Sequence, residues 1–211
     1  MRKNGFTLVE LLVGLVIAAL LMLTILVYFK QVSFLGLVSS EDAEYETQLE
    51  IGMLTVQKLV QEAGYGSGNA DDIAEGAFDG NSAVFWRYVS NFDPLNAAPP
   101  APSYTCRGFG SQISGTAPRI THRLVLLSAN CNASANLSTA AWTVVQPVAA
   151  VMSTTATPVF DFSVVASSCV PFGIGEAVGE QMLIITGLKK YEYGSASRDK
   201  IRRVCLTNIK A

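Results

Sequence analysis

The chain has 211 residues, half of them hydrophobic and 15% charged, with a formal net charge of -2. A balance so near neutral excludes little. One histidine, no glycine-rich phosphate loop and no H-E-x-x-H pattern leave no recognisable basis for catalysis, so the chain is expected not to be an enzyme and to need no cofactor. Charge distribution says more than charge: ten of the seventeen acids fall between Glu41 and Asp79, and seven of the fifteen basic residues between Lys189 and Lys210.

The N-terminus reads first. A short basic leader, Arg2 and Lys3, ends at Gly5, and Phe6-Thr7-Leu8-Val9-Glu10 opens an apolar run that stays uncharged from Leu11 to Phe29. Such a run, about 24 residues from Phe6, is long enough to span a hydrocarbon core. The basic leader would stay on the cytoplasmic side, and Lys30 can snorkel at the far interface. A secretory signal places its small residue and cleavage site after the apolar core; here the glycine precedes it, so cleavage would leave the apolar segment on the mature chain. Glu10 is the one acid in the span, and an acid at the middle of a span costs roughly 2.5–3.5 kcal/mol. The helix dipole offsets at most about 1 kcal/mol of such a cost. A cationic partner is therefore expected.

These residues resemble the class III signal of type IV pilins and of the pseudopilins of type II secretion. The resemblance implies that a prepilin peptidase cuts between Gly5 and Phe6 and methylates the new amine. It further implies that the helix becomes the core of a filament, with Glu10 pairing with the Phe6 amine of a neighbouring subunit.

From Gln31 the pattern turns amphipathic. Leu49, Met53, Val56, Val60 and Ala63 recur at helical spacing, with Glu46, Glu50, Gln57 and Gln61 opposite, and Gly64 supplies a stop. One helix from Phe6 to Ala63 is predicted, roughly 85 Å at 1.5 Å per residue, weakened at Gly36 and Gly52 by about 1 kcal/mol each. The expected organisation is a cleaved leader over 1–5, a membrane or filament-core segment over 6–30, an amphipathic half-helix over 31–63 and a periplasmic β-rich domain over 64–211.

Gly64–Gly80 reads as a connector. Strands are predicted at Ala83–Val89, Ile120–Leu127, Trp142–Val148, Val159–Val165, Met182–Leu188 and Ile201–Thr207, the last two forming a hairpin across Tyr191–Arg198. Asn91–Ser103, with four prolines, and Ser128–Ala141 are predicted loops. The sum is an α+β fold, a long helix on an antiparallel sheet, as the pilin resemblance also implies. Cys106, Cys131, Cys169 and Cys205 lie beyond the span, and an even count in an oxidising compartment predicts two disulfides. Of three possible pairings, Cys106–Cys131 and Cys169–Cys205 close the more modest loops. Zinc is the competing reading, but no Cys-x-x-Cys spacing occurs, so no metal site is expected.

Ala63-Gly64-Tyr65-Gly66 is similar to the helix end of PilW-type minor pilins, although Lys58-Leu59-Val60-Gln61 stands where that family commonly has an acid–arginine pair. The similarity implies a minor pilin that primes pilus assembly at or near the tip. Its partners would be major and other minor pilins, the inner-membrane assembly platform and a large tip adhesin. A pseudopilin of type II secretion is the alternative, and a subunit that itself binds DNA or a surface ligand another. For the last, the Lys189–Lys210 basic segment with Tyr191 and Tyr193 could meet phosphates and bases, although an exposed charged hairpin or a face for another subunit's acidic stalk accounts for it as well. The cluster Asp71, Asp72, Glu75, Asp79 could hold calcium but lacks EF-hand spacing, and reads better as a solvated acidic loop. His122, mid-strand, reads as packing or surface.

Overall fold

A computed structural model describes residues 7–96, 100–170, 179–189 and 199–209. The element order is α1 (Leu8–Val60), a 3-10 turn (Ala70–Asp72), β1 (Ile73–Phe78), β2 (Asn81–Val89), β3 (Tyr104–Thr116), β4 (Arg119–Ala129), β5 (Thr143–Ser153), β6 (Phe160–Cys169), β7 (Gly179–Gly187) and β8 (Lys200–Leu206). The chain divides into two compact units, Met1–Ala43 and Glu44–Ala211. In the first, α1 presents leucine, valine, alanine and isoleucine on every side. These side chains are exposed throughout, and the helix contains a stretch long and apolar enough to cross a membrane.

In the second unit, the last turns of α1 bury one stripe: Tyr45, Leu49, Gly52, Met53, Val56 and Val60. Each large apolar side chain so buried contributes about 1.5–3 kcal/mol. The stripe packs on two antiparallel sheets, β1-β2-β3-β4-β5 and β6-β7-β8. One core cluster joins the stripe to Val84, Trp86, Phe109 and Leu124 of the larger sheet and to Phe160, Phe162, Leu183 and Ile185 of the smaller. Gly52 acts here as a contact point, because a Cβ would lie 2.9 Å from the Phe160 ring. Gly187 matches it, with Leu49 and Met53 each 2.9 Å from its virtual Cβ. The polar residues opposite the stripe are not simply solvated: Glu46 and Glu50 bind Lys200 of β8, and Glu50 also binds Arg202.

Ser82 of β2 stitches the sheets together, its hydroxyl accepting from Phe162 N–H at 3.0 Å and donating to Phe162 O at 3.4 Å. The far face of the larger sheet is also covered. Phe85, Cys106, Val125 and Leu127 form a second cluster under Leu137, and Trp142 stacks on Phe85 at 4.5 Å. The covering segment, between β4 and β5, is the loop predicted over Ser128–Ala141.

Two strands depart from the sequence-based expectation. Gly64–Gly80 is not a plain connector, since it holds the 3-10 turn and β1. Asp79 and Gly80, both at positive φ, make the two-residue turn into β2, the Asp-Gly pairing that such hairpins favour. β3 lies in a stretch, between the predicted Asn91–Ser103 loop and the predicted Ile120–Leu127 strand, for which no strand was predicted. The reason for its Gly108 and Gly110 is cross-strand: a Cβ on Gly108 would sit 2.6 Å from the Phe85 ring, and one on Gly110 2.9 Å from Phe78. The expected single sheet is two, and α1 ends at Val60 rather than Ala63, the chain tightening through Ala63 N–H to Val60 O at 2.9 Å. Residues 190–198 of the connection between β7 and β8, which include Tyr191–Arg198, lie outside the described residues.

Candidate functional site

Gly5 and Phe6, the expected cleavage pair, lie outside the described residues. The geometry begins at Thr7. α1 starts at Leu8, so Thr7 is its N-cap and Glu10 its third helical residue, the spacing of a capping box. The Thr7 N–H and Thr7 hydroxyl both donate to Glu10 Oε2 at 3.0 Å, and the Glu10 N–H reaches Thr7 Oγ1 at 3.4 Å. Thr7 thus satisfies one carboxylate oxygen of Glu10 and fixes the side chain back over the helix start. Sequence reasoning named Glu10 but passed over Thr7, although Thr-x-x-Glu before an apolar run was the available signal. What this arrangement can do is hold a carboxylate, pre-oriented, at the positive end of a helix and within reach of a cation.

At the other end of α1, Ala63-Gly64-Tyr65-Gly66 forms a clasp onto β2. The Gly64 N–H donates to Arg87 O at 3.0 Å, and the Val89 N–H donates to Tyr65 O at 2.9 Å. Gly66, at φ 79°, has Phe92 and Val89 within 2.9 Å of its virtual Cβ. Tyr65 meets Phe92 edge-on at 5.3 Å.

Asp71, Glu75 and Asp79 are exposed, as expected of a solvated acidic loop, but Asp72 departs from that expectation. Asp72 is fully buried: it accepts from Arg87 Nε at 2.5 Å and from the Asn69 N–H at 3.1 Å, and its Oδ2 also accepts the Ser67 hydroxyl. Among the described residues, no three or more His, Cys, Asp or Glu side chains are grouped to hold a metal. Sequence reasoning did not single out Arg87, which also donates to Ala135 O at 2.9 Å and Asn132 O at 3.3 Å and so ties the 3-10 turn to the covering loop. His122 is buried on β4, its Nε2 2.9 Å from Thr155 O.

Within the basic segment, Lys200 and Arg202 are engaged by the helix of the same chain. Arg202 contacts Glu50 at 2.6 Å and Lys200 contacts Glu50 at 3.0 Å. The hydrogen bonds from Arg202 and then Lys200 hold the Glu50 carboxyl below its ordinary range. Burial, with Glu46 beside it, pushes the Tyr45 hydroxyl up to about 12, and that hydroxyl donates to Leu188 O at 2.8 Å. Lys190, Tyr191, Tyr193, Arg198 and Lys210 lie outside the described residues. Cys106 is bonded to Cys131, fastening the covering loop to β3, and Cys169 to Cys205, joining the end of β6 to β8.

A protein family described as "Prokaryotic N-terminal methylation motif" matches residues 1–26. No curated protein and no solved structure matches the chain. The motif, the exposed apolar helix and the α+β architecture together indicate a type IV pilin-like or pseudopilin-like protein, anchored through its N-terminal helix. Processing by a prepilin peptidase and assembly with other pilins follow from that class.

Proposed function

We propose that this protein is a minor subunit of a type IV pilus, which helps prime pilus assembly and sits at or near the tip. On this reading residues 1–5 are a leader removed on the cytoplasmic side, and Phe6 becomes a methylated N-terminus. Residues 6–30 hold the subunit in the inner membrane and then in the filament core, while residues 31–63 carry the helix up to a periplasmic domain over 64–211. The observation that carries the proposal is the match to the methylation motif over residues 1–26 on a helix whose apolar surface is left exposed for other helices. The sequence Ala63-Gly64-Tyr65-Gly66, similar to that at the helix end of PilW-type minor pilins, supports the minor-subunit assignment.

Glu10 is the residue on which assembly would turn. Thr7 orients its carboxylate, and the N-terminal amine of a neighbouring subunit would neutralise it in the filament. Leaving one member of a well-buried pair alone costs about 3–5 kcal/mol. Glu10→Ala is expected to be cleaved normally and to accumulate in the inner membrane while piliation falls. Sheared filaments labelled with antibody to the 64–211 domain test the assignment, with label confined to filament ends as the expected result. Label along the whole shaft would make it a major subunit, and full piliation by Glu10→Ala would remove the acid's assigned role.

A further inference from the structure

The sheet edges in this domain are protected unequally. Exposed edges attract foreign strands and are usually blunted by charge, twist or cover. β8 carries Lys200, Arg202 and Arg203 and is latched to α1. β1 carries Glu75, and β6 carries Asp161 and is stitched to β2 through Ser82. β5 closes the other side of the larger sheet and has no strand beyond it among the described residues. Its later half is partly covered by α1, Gln48 Oε1 accepting from the Ala150 N–H at 3.4 Å. Its first half is open: every residue from Thr143 to Pro147 is exposed, with Val144 at 44% and Val145 at 56%.

The second observation is chemical. From Leu124 through Phe160 the sequence has no Asp, Glu, Lys or Arg, in a chain with 15% charged residues. That stretch supplies β5, the covering loop and the turn into β6. Depletion of charge marks the centre of protein interfaces, and an edge strand without charge lacks the commonest guard against pairing. Pro147, tolerated on an edge because it needs no ladder partner, and the shifts of register against β4 that pass over Val145 and Val148 are the devices present; they interrupt regular pairing locally, while Thr143–Gln146 remains exposed and uncharged.

We infer that the Thr143–Gln146 edge of β5 is a docking site for an extended, uncharged strand from another subunit that carries an N-terminal methylation motif, adding a sixth strand to the larger sheet. A row of backbone donors and acceptors fits a strand better than any other partner. The absence of charge selects a neutral one, since a charged side chain there would lose water without gaining an ion pair. A different subunit is favoured over a second copy, because pairing of identical edges closes a two-fold dimer that cannot continue along a filament. Two subunits anchored in one membrane also meet at high effective concentration. The inference rests on the pilus-subunit reading for the identity of the partner.

The test is a photo-crosslinking residue, p-benzoylphenylalanine, placed at Val145 of the full-length chain in cells that make filaments, with placement at exposed Arg203 on β8 as control. Membranes and sheared filaments are irradiated separately, and adducts are located by mass spectrometry. The expected result is a Val145 adduct on an extended uncharged segment of another motif-bearing protein, about tenfold above the Arg203 control and reduced about tenfold by Val144→Lys. Adducts only to a second copy, adducts to a protein without the motif, or no adduct in either fraction would overturn the inference. If the protein is absent from filaments but the membrane adduct forms as described, the pilus reading fails and the edge assignment stands.

Discussion

Arg87 and Asp72 meet inside the domain, Nε to Oδ1 at 2.5 Å, with 5% and none of their side-chain surfaces exposed. Neither can be removed alone without stranding the other. Arg87→Ala or Asp72→Ala is therefore expected to destabilise the domain by about 3–5 kcal/mol. The double variant should cost clearly less than the sum of the two. Chemical denaturation of all three variants with the disulfides intact checks this, and strict additivity would show that the pair is not coupled.

Gly52 faces the Phe160 ring, where a Cβ would lie 2.9 and 3.0 Å from two ring carbons and 3.2 Å from Ala149 Cβ. Alanine gains about 1 kcal/mol of helix propensity at an unconstrained site, whereas overpacking a core costs about 1–3 kcal/mol. Gly52→Ala is expected to lower the melting temperature of the domain. A rise would mean that Phe160 can move aside.

Glu50 gives a pH-dependent contribution with a definite sign. Its carboxyl is held below the ordinary carboxylate value by Arg202 and Lys200. The stability it adds is thus fully present above that ordinary value and is lost as pH falls through the lowered one. The melting-temperature difference between wild type and Glu50→Gln should be constant from neutral pH down to about 5 and shrink only in stronger acid. It should also shrink with added salt, because the pair is partly exposed. A difference that grew on acidification would contradict the direction.

Gly5 should govern processing. A side chain immediately before the cut would displace the scissile bond in the peptidase. Gly5→Val is expected to leave full-length precursor in the inner membrane, read as a shift in apparent mass. Mature-sized protein from the variant would move the cleavage site elsewhere.

The parts of the fold legible in the sequence were those where one side chain's chemistry decides the local structure. The stripe Leu49, Met53, Val56, Val60 and the strands around Phe85, Leu124 and Ile185 are runs of apolar residues at helical or strand spacing, and they are buried. β1 and β3 were not legible, because Gly76, Gly108 and Gly110 weaken strand propensity locally and find their reason in rings on neighbouring strands. At the N-terminus, Glu10 was visible as a charge in an apolar run, whereas Thr7 was hidden because a threonine inside such a run attracts no notice until the helix start is fixed. Arg87 was missed for a similar reason. An arginine in a strand reads as solvent-facing, and only the tertiary position of Asp72 makes it internal.

The pairing of early with late residues has a consequence for how the chain reaches this state. Tyr45 awaits Leu188, Glu50 awaits Arg202, and Gln61 awaits Asn208. During synthesis the apolar stripe of α1 is thus delivered long before the strands that cover it. Contacts of such long sequence separation form slowly, and uncovered apolar surface is prone to aggregate meanwhile. A newly made chain would depend on a holding factor, or on its N-terminal helix keeping copies apart in a membrane, until β7 and β8 arrive.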